Sequence, residues 1–383
     1  MQAKRVGVLG GGIGGVVAAN VLRGAVRAPV DIGLIDRRPD HFFPPSYLHV
    51  MTGELDPHSA SASLSSLERR RIQPIVGEIV SIDPRKRSVT VDRDTFEFDY
   101  LIVALGAEIA LQSIQGLETC HTFQTLDGAI RLRDALKDFT GGQILIVITG
   151  SPYRCPDAPY EAAFLLDDLL RRRGLREKSS VHVATVEPGP MPIAGEAVAG
   201  KIRKMLAERS IEYSTGRRLV AVDENRALAT FADATQQPYE LIIVVPPLLA
   251  PQVVSASGLC ADTGWISSGP FSLATMFDGV FAVGDACSVR IPNGRYLPKL
   301  GVFATRQAVL VAENLAAQID GDKEQRLYTG EAEVVLETGR GRAASLKGDF
   351  YAKPEPKLKL KAPTKRKHLS KAAYERRWLK RWL

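Results

Sequence analysis

Apolar and polar positions follow two different periods along this chain of 383 residues. Continuous apolar runs at 4–9, 30–35 and 100–105 predict buried strands of a parallel sheet. Residues 125–138 instead carry apolar side chains at helical spacing. Between 76 and 103 the alternation has a period of two and is broken by turn residues, which predicts a small β-meander.

The same order of elements returns in the second half of the chain. Apolar runs at 143–149 and 180–186 predict strands, and residues 160–173 and 195–208 predict the helices that follow them. A long helix is expected at 302–319. Alternation of strands and helices predicts an α/β fold with two Rossmann-like dinucleotide-binding domains, each a three-layer structure around a parallel sheet.

Four segments are expected from these patterns. They are a first dinucleotide-binding part at 1–110, a second Rossmann-like domain at 111–240, a return to the first domain at 241–322, and a C-terminal extension at 323–383 that ends in an amphipathic helix.

A glycine-rich turn lies between the first strand and the helix that begins near Val16. Gly10, Gly12 and Gly15 satisfy the G-x-G-x-x-G spacing, which permits a tight turn, close approach of a pyrophosphate and close helix packing. Asp36 follows the next strand, where a carboxylate accepts hydrogen bonds from a ribose. The residues predicted to bind a dinucleotide here are Gly10, Gly12, Ile13, Gly14, Gly15, Asp36 and Arg37.

Two later segments resemble the distal fingerprints of flavoproteins with two dinucleotide-binding domains. They read Asp-Tyr-Leu-Ile-Val-Ala-Leu-Gly at 99–106 and Gly-Val-Phe-Ala-Val-Gly-Asp at 279–285. The resemblance extends over residues 1–320 and implies FAD as the cofactor. It places Gly106, Gly284 and Asp285 at FAD, with Asp285 at its ribityl–phosphate part, and Lys299 and Gly301 near the flavin ring.

The loop after the first strand of the second domain lacks the expected glycines. It reads Gly-Ser-Pro-Tyr-Arg-Cys-Pro-Asp-Ala-Pro-Tyr-Glu at 150–161, and its three prolines are unsuited to cradling NADH. This loop, together with the paired prolines in 241–251, resembles sulfide:quinone oxidoreductases and the flavoprotein subunit of flavocytochrome c sulfide dehydrogenases. The resemblance implies that Cys155 lies by the flavin and takes part in sulfur transfer.

The residues themselves favour a reactive Cys155, because a helix N-terminus and Arg154 are both expected to lower the pKa of its thiol. A buried, unreactive cysteine is the alternative. The chain departs from the family at its second redox cysteine, whose place is taken by Val334, and Gln124 stands where some members have a third. Cys120 and Cys287 are then the candidate substitutes.

Three further kinds of side chain are candidates for chemistry near the flavin. Glu161 begins the helix behind the cysteine loop, where the helix dipole stabilises a carboxylate. The resemblance to quinone reductases with a Glu at the matching place implies that it can relay protons to a reduced quinone. Lys299 can stabilise negative charge on the reduced flavin. For each, an ordinary structural role is the alternative, and for His41 and His49 it is the preferred one. No metal site is expected.

The net charge of +7 is concentrated at the C-terminal end. Residues 353–383 contain 12 Lys or Arg and two Glu, a net +10 that leaves −3 for the rest. The terminal helix combines this charge with tryptophan. A mostly apolar stripe at three- and four-residue spacing consists of Leu369, Ala372, Ala373, Arg376, Leu379, Trp382 and Leu383. These features predict a membrane-surface anchor on anionic lipid rather than nucleic-acid binding. Docking against another copy of the chain is left open.

Together these features predict an FAD-dependent oxidoreductase that passes electrons from a small reduced sulfur compound to quinone, with Cys155, Glu161 and Lys299 at its site. A type II NADH:quinone dehydrogenase and a weakly catalytic flavin-bound sensor are the alternatives. No secretory signal or spanning helix is evident, so a cytoplasmic protein on the inner face of the cell membrane is expected.

Overall fold

The computed structural model describes residues 2–383 and confirms the predicted α/β class. Within these residues the α-helices are α1 (Ile13–Ala25), α2 (Tyr47–Met51), α3 (Leu126–Asp138), α4 (Ala158–Arg172), α5 (Glu196–Ala207), α6 (Gln252–Ala256), α7 (Gly301–Ile319) and α8 (Lys365–Trp382). Helices α3, α4, α5 and α7 lie within two residues of the predicted bounds, and α1 begins three residues earlier than predicted.

The first unit contains strands β1 (Lys4–Leu9), β2 (Val30–Asp36), β3 (Asp40–Phe42), β4 (Ser61–Ser63), β5 (Gln73–Val76), β6 (Ile79–Asp83), β7 (Ser88–Val91), β8 (Asp94–Glu97), β9 (Tyr100–Val103) and β10 (Glu108–Ile109). Strands β6, β7 and β8 form the predicted antiparallel meander. Strands β1, β2, β5 and β9 belong to a parallel sheet with β1 at its centre. Parallel order brings the carboxyl ends of these strands, and the loops after them, to one edge.

The second unit contains β11 (Gly142–Ile148), β12 (Ser179–Thr185), β13 (Ile211–Ser214), β14 (Leu219–Asp223), β15 (Leu228–Phe231), β16 (Gln236–Pro238), β17 (Leu241–Val245) and β18 (Leu248–Leu249). Its parallel sheet has the order β13-β12-β11-β17. Strand β17 therefore belongs to this second sheet, because it pairs with β11 from Ile144 to Ile148. The return to the first unit falls after β17 and not at residue 241, as the sequence had suggested.

The remaining strands are β19 (Ile266–Ser268), β20 (Val280–Ala282), β21 (Cys287–Val289), β22 (Glu331–Glu337), β23 (Ala343–Asp349) and β24 (Lys357–Leu360). Strand β20 completes the first parallel sheet next to β9, and α7 packs against α1. The C-terminal strands β22, β23 and β24 form an antiparallel sheet, so part of the basic tail is sheet.

Helix α8 packs on the protein through the side chains of its inner face. Trp378 is 2% exposed and stacks on the rings of His41 and Phe43, with centroid separations of 4.8 and 4.7 Å. Leu379 and Trp382 are partly buried against the same core. Much of the apolar stripe that predicted a membrane anchor is thus used for folding, because a helix buries its apolar stripe against any available core. Leu369 and Tyr374 remain outward, at 63% and 52% exposed.

Candidate active site

The glycine loop joins β1 to α1 and leaves open space in front of the helix. A Cβ on Gly10, whose φ is +104°, would lie 2.4 Å from the carbonyl oxygen of Ala104, and one on Gly15 would lie 1.8 Å from that of Gly10. Both positions therefore require glycine. A Cβ on Gly12 would meet no atom within 4 Å, and α1 begins there without a side-chain cap. This free helix N-terminus suits a pyrophosphate.

Asp36 and Gly106 lie beside this loop. The Asp36 Oδ2 accepts a hydrogen bond of 2.6 Å from the backbone N–H of Gly11, which fixes the carboxylate at the end of β2. Gly106 follows β9 with φ +70° and open space where a Cβ would lie. The Arg37 guanidinium instead points outward, 3.9 Å from Glu78, so it lies apart from the other predicted ligands.

Three other predicted cofactor residues pack around the same helix end. A Cβ on Gly14 would lie 3.2 Å from a Val283 methyl group, and one on Gly301 would lie 3.1 Å from Ile13 Cδ1. Small residues at both positions keep β20, α1 and α7 close together. Ile13 and Gly301 also line the main cavity of the protein.

Asp285 lies after Gly284 and is held by an arginine. The Arg154 Nε donates to Asp285 Oδ2 at 3.0 Å, and its two terminal nitrogens donate to the carbonyl oxygens of Gln124 and Ala107, each at 3.1 Å. One guanidinium thus ties the cysteine loop to the second distal fingerprint. Sequence reasoning assigned Arg154 to Cys155 alone, because the approach of Asp285 is purely tertiary.

The Lys299 side chain is buried against the backbone and does not line the main cavity. Its side chain is 5% exposed, and Nζ donates to the carbonyl oxygens of Asp285 and Cys287 at 2.8 and 2.7 Å. The same ammonium lies 3.7 Å from the centroid of the Trp265 ring. The ammonium group therefore stabilises the backbone of the Gly284–Cys287 segment. The backbone carbonyl of Lys299 accepts from the Cys155 N–H at 2.8 Å.

The main cavity has a volume of about 390 Å³ and lies where both units and the C-terminal extension meet. It is lined by Ile13, by residues from segments 43–48, 123–124, 154–161, 300–302 and 333–335, and by one face of α8. Phe43, Leu300 and Val334 supply apolar walls, whereas Glu161, Lys371 and other charged groups supply a polar one. A largely apolar cavity with a few polar groups is typical of a small-molecule site.

Cys155 lines this cavity in an unusual backbone conformation. Its φ is +52°, a region that non-glycine residues rarely adopt and that is common at functional sites. Burial, followed by the charges of Asp157 and Asp285, raises the pKa of its thiol, and the opposing effect of Arg154 is smaller. The expectation of a lowered pKa was wrong, since Asp285 neutralises Arg154 and burial disfavours the thiolate.

The other cysteines lie apart from the cavity. All four thiols are free, and Cys155 is the one that lines the cavity. Cys120 is buried in a separate cluster on the face of β11 and β17, and the buried Cys287 thiol donates to the Gly284 carbonyl at 3.3 Å. Val334 lines the same cavity as Cys155. Neither Cys120 nor Cys287 therefore shares the cavity with Cys155, as Val334 does.

The proline-rich loop covers the carboxyl end of the second sheet. The Leu248 N–H donates to the carbonyl oxygen of Pro152 at 2.7 Å, and the Tyr153 hydroxyl donates to Glu187 Oε2 at 2.7 Å. Glu187 follows β12, where dinucleotide-binding units place the carboxylate that holds a ribose. Here that carboxylate is already engaged by the cysteine loop itself.

Glu161 is buried on α4 and forms an ion pair across the cavity wall. Its Oε1 accepts from the Glu337 backbone N–H at 2.5 Å and from the Lys371 ammonium on α8. The Lys371 pKa is raised: burial opposes this, and the charges of Glu161 and Glu375 outweigh it. Burial and the charge of Glu161 raise the pKa of Asp157.

The sequence reasoning missed Asp157, Lys371 and Glu375 as cavity residues. Lys371 and Glu375 lie four residues apart, a spacing that places both on one helix face, and this was the available signal. Their helix was predicted to face lipid, so that face was not assigned to the site.

Within residues 2–383, no helix is both long enough and apolar enough to cross a membrane.

The family model for pyridine nucleotide-disulphide oxidoreductases matches residues 4–308, and the chain belongs to this family. With its glycine loop and two distal fingerprints, it is an FAD-dependent oxidoreductase with two dinucleotide-binding units.

Particular relatives agree with the resemblance in the cysteine loop. The sulfide-quinone reductase of Aquifex aeolicus is 26% identical over 99% of this chain and 91% of its own. The mitochondrial sulfide:quinone oxidoreductase of mouse is 23% identical over 91% of this chain and 78% of its own. A type II NADH:quinone oxidoreductase of Staphylococcus saprophyticus is 23% identical over 90% of this chain and 87% of its own.

The crystal structure of the sulfide:quinone oxidoreductase from Aquifex aeolicus has a TM-score of 0.89 to this chain at 24% identity. The match covers 99% of this chain and 91% of that one. The predicted fold and the predicted family resemblance are confirmed.

Proposed function

We propose that the protein oxidises a small reduced sulfur compound, such as sulfide, and passes the electrons to quinone. The position of Cys155 carries this proposal, since its thiol lines the cavity together with Ile13 and Gly301, two residues at the predicted flavin end. Relatives named as sulfide:quinone oxidoreductases support the choice of donor and acceptor.

The proposed reaction balances with a single cysteine. The Cys155 thiol and hydrogen sulfide form a persulfide as an S–S bond is made, which releases two protons and two electrons. Quinone takes up two electrons and two protons to become quinol. FAD, when bound, supplies the two-electron carrier between these half-reactions. Because the Cys155 thiol is protonated at neutral pH, a nearby base is needed, and Asp157 on the cavity wall is suited to that role.

NADH is disfavoured as the donor by the cysteine loop. The Tyr153 hydroxyl donates to Glu187, the carboxylate in the position that would hold the ribose of NADH. The backbone of the cysteine loop is also hydrogen-bonded to Leu248, at the edge of the second sheet where NADH would approach. Because relatives of this chain include a type II NADH:quinone oxidoreductase, NADH is the second candidate donor to test.

Anaerobic reduction of the bound flavin separates the candidates. Purified protein is mixed with sulfide or with NADH, and the visible flavin absorbance is followed. We expect sulfide to bleach the flavin and NADH to leave it oxidised. Cys155→Ser should abolish bleaching by sulfide because no persulfide can form, whereas Cys260→Ser, a partly buried cysteine outside the cavity, should behave as wild type.

Bleaching by NADH alone would support the dehydrogenase instead. Bleaching by neither would support the sensor, and full bleaching of Cys155→Ser by sulfide would remove this thiol from the mechanism.

We also propose that the protein docks on anionic membranes through the outer face of α8. This face exposes Leu369, Tyr374 and six basic residues, namely Lys365, Arg366, Arg376, Arg377, Lys380 and Arg381. Ser370 and Tyr374 are exposed and also line the cavity, so its mouth opens on this face. A lipid-soluble quinone would then reach the cavity without crossing water.

A further inference from the structure

A series of ionisable side chains, Lys371, Glu375, His49 and Glu54, leads from the cavity wall to the protein surface. Lys371 and Glu375 lie one helical turn apart on the inner face of α8, and both line the cavity. Glu375 is 9% exposed, and its Oε1 has no hydrogen-bond partner among the described residues. A buried carboxylate oxygen without a partner is energetically costly, and a role at the site is one explanation for its presence.

The series continues outward through His49, in the middle of α2. The His49 Nε2 lies 3.9 Å from Glu375 Oε2, and its Nδ1 lies 3.1 Å from Glu54 Oε2. Glu54 is at the surface, where its Oε1 pairs with Arg172 at 2.6 Å. The step between His49 and Glu375 exceeds a hydrogen bond, so transfer there needs a small side-chain rotation or a bridging water.

The electrostatics of these groups suit proton exchange. Burial raises the pKa of Glu375, although the charges of Lys371 and His49 oppose it. Burial lowers the pKa of His49, but the hydrogen bond to Glu54 and the charge of Glu375 outweigh it, and the net shift is upward. The net shift of the pKa is therefore upward for both groups, which favours their protonated forms.

Further ionisable groups face this series from α4, from the residue before it and from β22. Helix α4 and the residue before it supply Glu161 and Asp157, and strand β22 supplies Glu337, whose Oε2 pairs with the His368 Nδ1 of α8 at 2.9 Å. Four buried carboxyl groups thus share one lysine and two histidines.

We propose that Glu54, His49 and Glu375 form a proton-uptake path from solvent to the Lys371–Glu161 pair in the cavity. The path rests on the proposed function, since quinone needs two protons with its two electrons to leave as quinol. His49 and Glu375 would replace the protons drawn from the cavity wall. They act through Lys371 and Glu161 and not on the quinone itself, so they are positioning and relay residues.

The test isolates the oxidative half-reaction. The flavin is reduced with dithionite, so the result does not depend on sulfide, and is then mixed with decylubiquinone or with ferricyanide, which accepts electrons without protons. In His49→Gln we expect reoxidation by the quinone to slow by about 100-fold, the lower end of the range for positioned proton donors. Ferricyanide should react at the wild-type rate, and added imidazole should restore part of the quinone rate.

Glu375→Gln, which keeps the size of the side chain, carries the same expectation. His58→Gln changes an exposed histidine outside the path and should match wild type with both acceptors. Wild-type quinone rates in His49→Gln and Glu375→Gln, or equal slowing with both acceptors, would overturn the path alone. Wild-type protein that reduces ferricyanide but never the quinone would overturn the proposed acceptor as well.

Discussion

Burial decides the chemistry of several single residues here, and His41 is the simplest case. The ring lies under the glycine loop, where Nδ1 donates to the Gly11 carbonyl at 2.7 Å and one face stacks on Trp378. The carbonyl can only accept, so Nδ1 carries the proton. Nε2 is buried without a partner among the described residues. Burial lowers the pKa of His41 to about 4.

This shift predicts a loss of stability in acid. The unfolded histidine binds a proton below about pH 6.5, whereas the folded one stays neutral until about pH 4, so stability falls as pH decreases between these values. Between pH 7 and pH 5 the wild type should lose about 2 kcal/mol more unfolding free energy than His41→Gln. Urea denaturation at both pH values measures this. An equal loss in both proteins would show that His41 is not the titrating group.

At the scale of elements, α8 changes from a predicted tail into a wall of the site. The backbone carbonyls of Arg381 and Trp382 accept hydrogen bonds from Arg70 at 2.9 Å and Asn20 at 3.0 Å, which fastens the end of the helix to the first unit. Trp378 of this helix stacks on the ring of Phe43. Docking of α8 therefore builds one wall of the cavity.

Removal of the Trp378 side chain should loosen the helix. Trp378→Ala is expected to lower the free energy of unfolding by about 3–5 kcal/mol, as for other large buried aromatic residues. It should also weaken quinone reduction because Lys371 lies on the same helix. Leu369→Ala, at an exposed position of α8, should change stability by about 0.5 kcal/mol or less. Chemical denaturation compares the two, and equal stabilities would show that α8 is not docked in solution.

At the scale of the whole molecule, opposite charges are separated between the body and the outer face of α8. Deletion of the tail would test membrane binding poorly, because the same helix builds the cavity. Neutralisation of outward charges is the cleaner change.

Replacement of Arg376, Arg377 and Lys380 by Gln should weaken binding to anionic vesicles by about 100-fold, from about 1 kcal/mol for each basic residue near the surface. Binding to zwitterionic vesicles should change little. Co-sedimentation with vesicles measures both. The matched control replaces Lys137, Lys204 and Arg218, which are exposed on the second unit. An equal loss in the control would indicate a general charge effect and no specific face.

The amino-acid sequence alone determined the local elements, because period, glycine and proline act over a few residues. The β1–α1 turn, strand β2 ending at Asp36, and the long helix α7 all lie where the pattern placed them. The exchange of glycines for prolines around Cys155 is likewise visible in one segment of chain.

Only the tertiary structure decided what surrounds each functional group, since burial and charge pairing join residues far apart in the chain. It brought Asp285 to Arg154 and so raised the pKa of the thiol at Cys155, against expectation. It turned Lys299 toward the backbone and placed Lys371 against Glu161. An amphipathic helix gives the same sequence pattern against lipid and against protein, and the energetics of packing settled the position of α8.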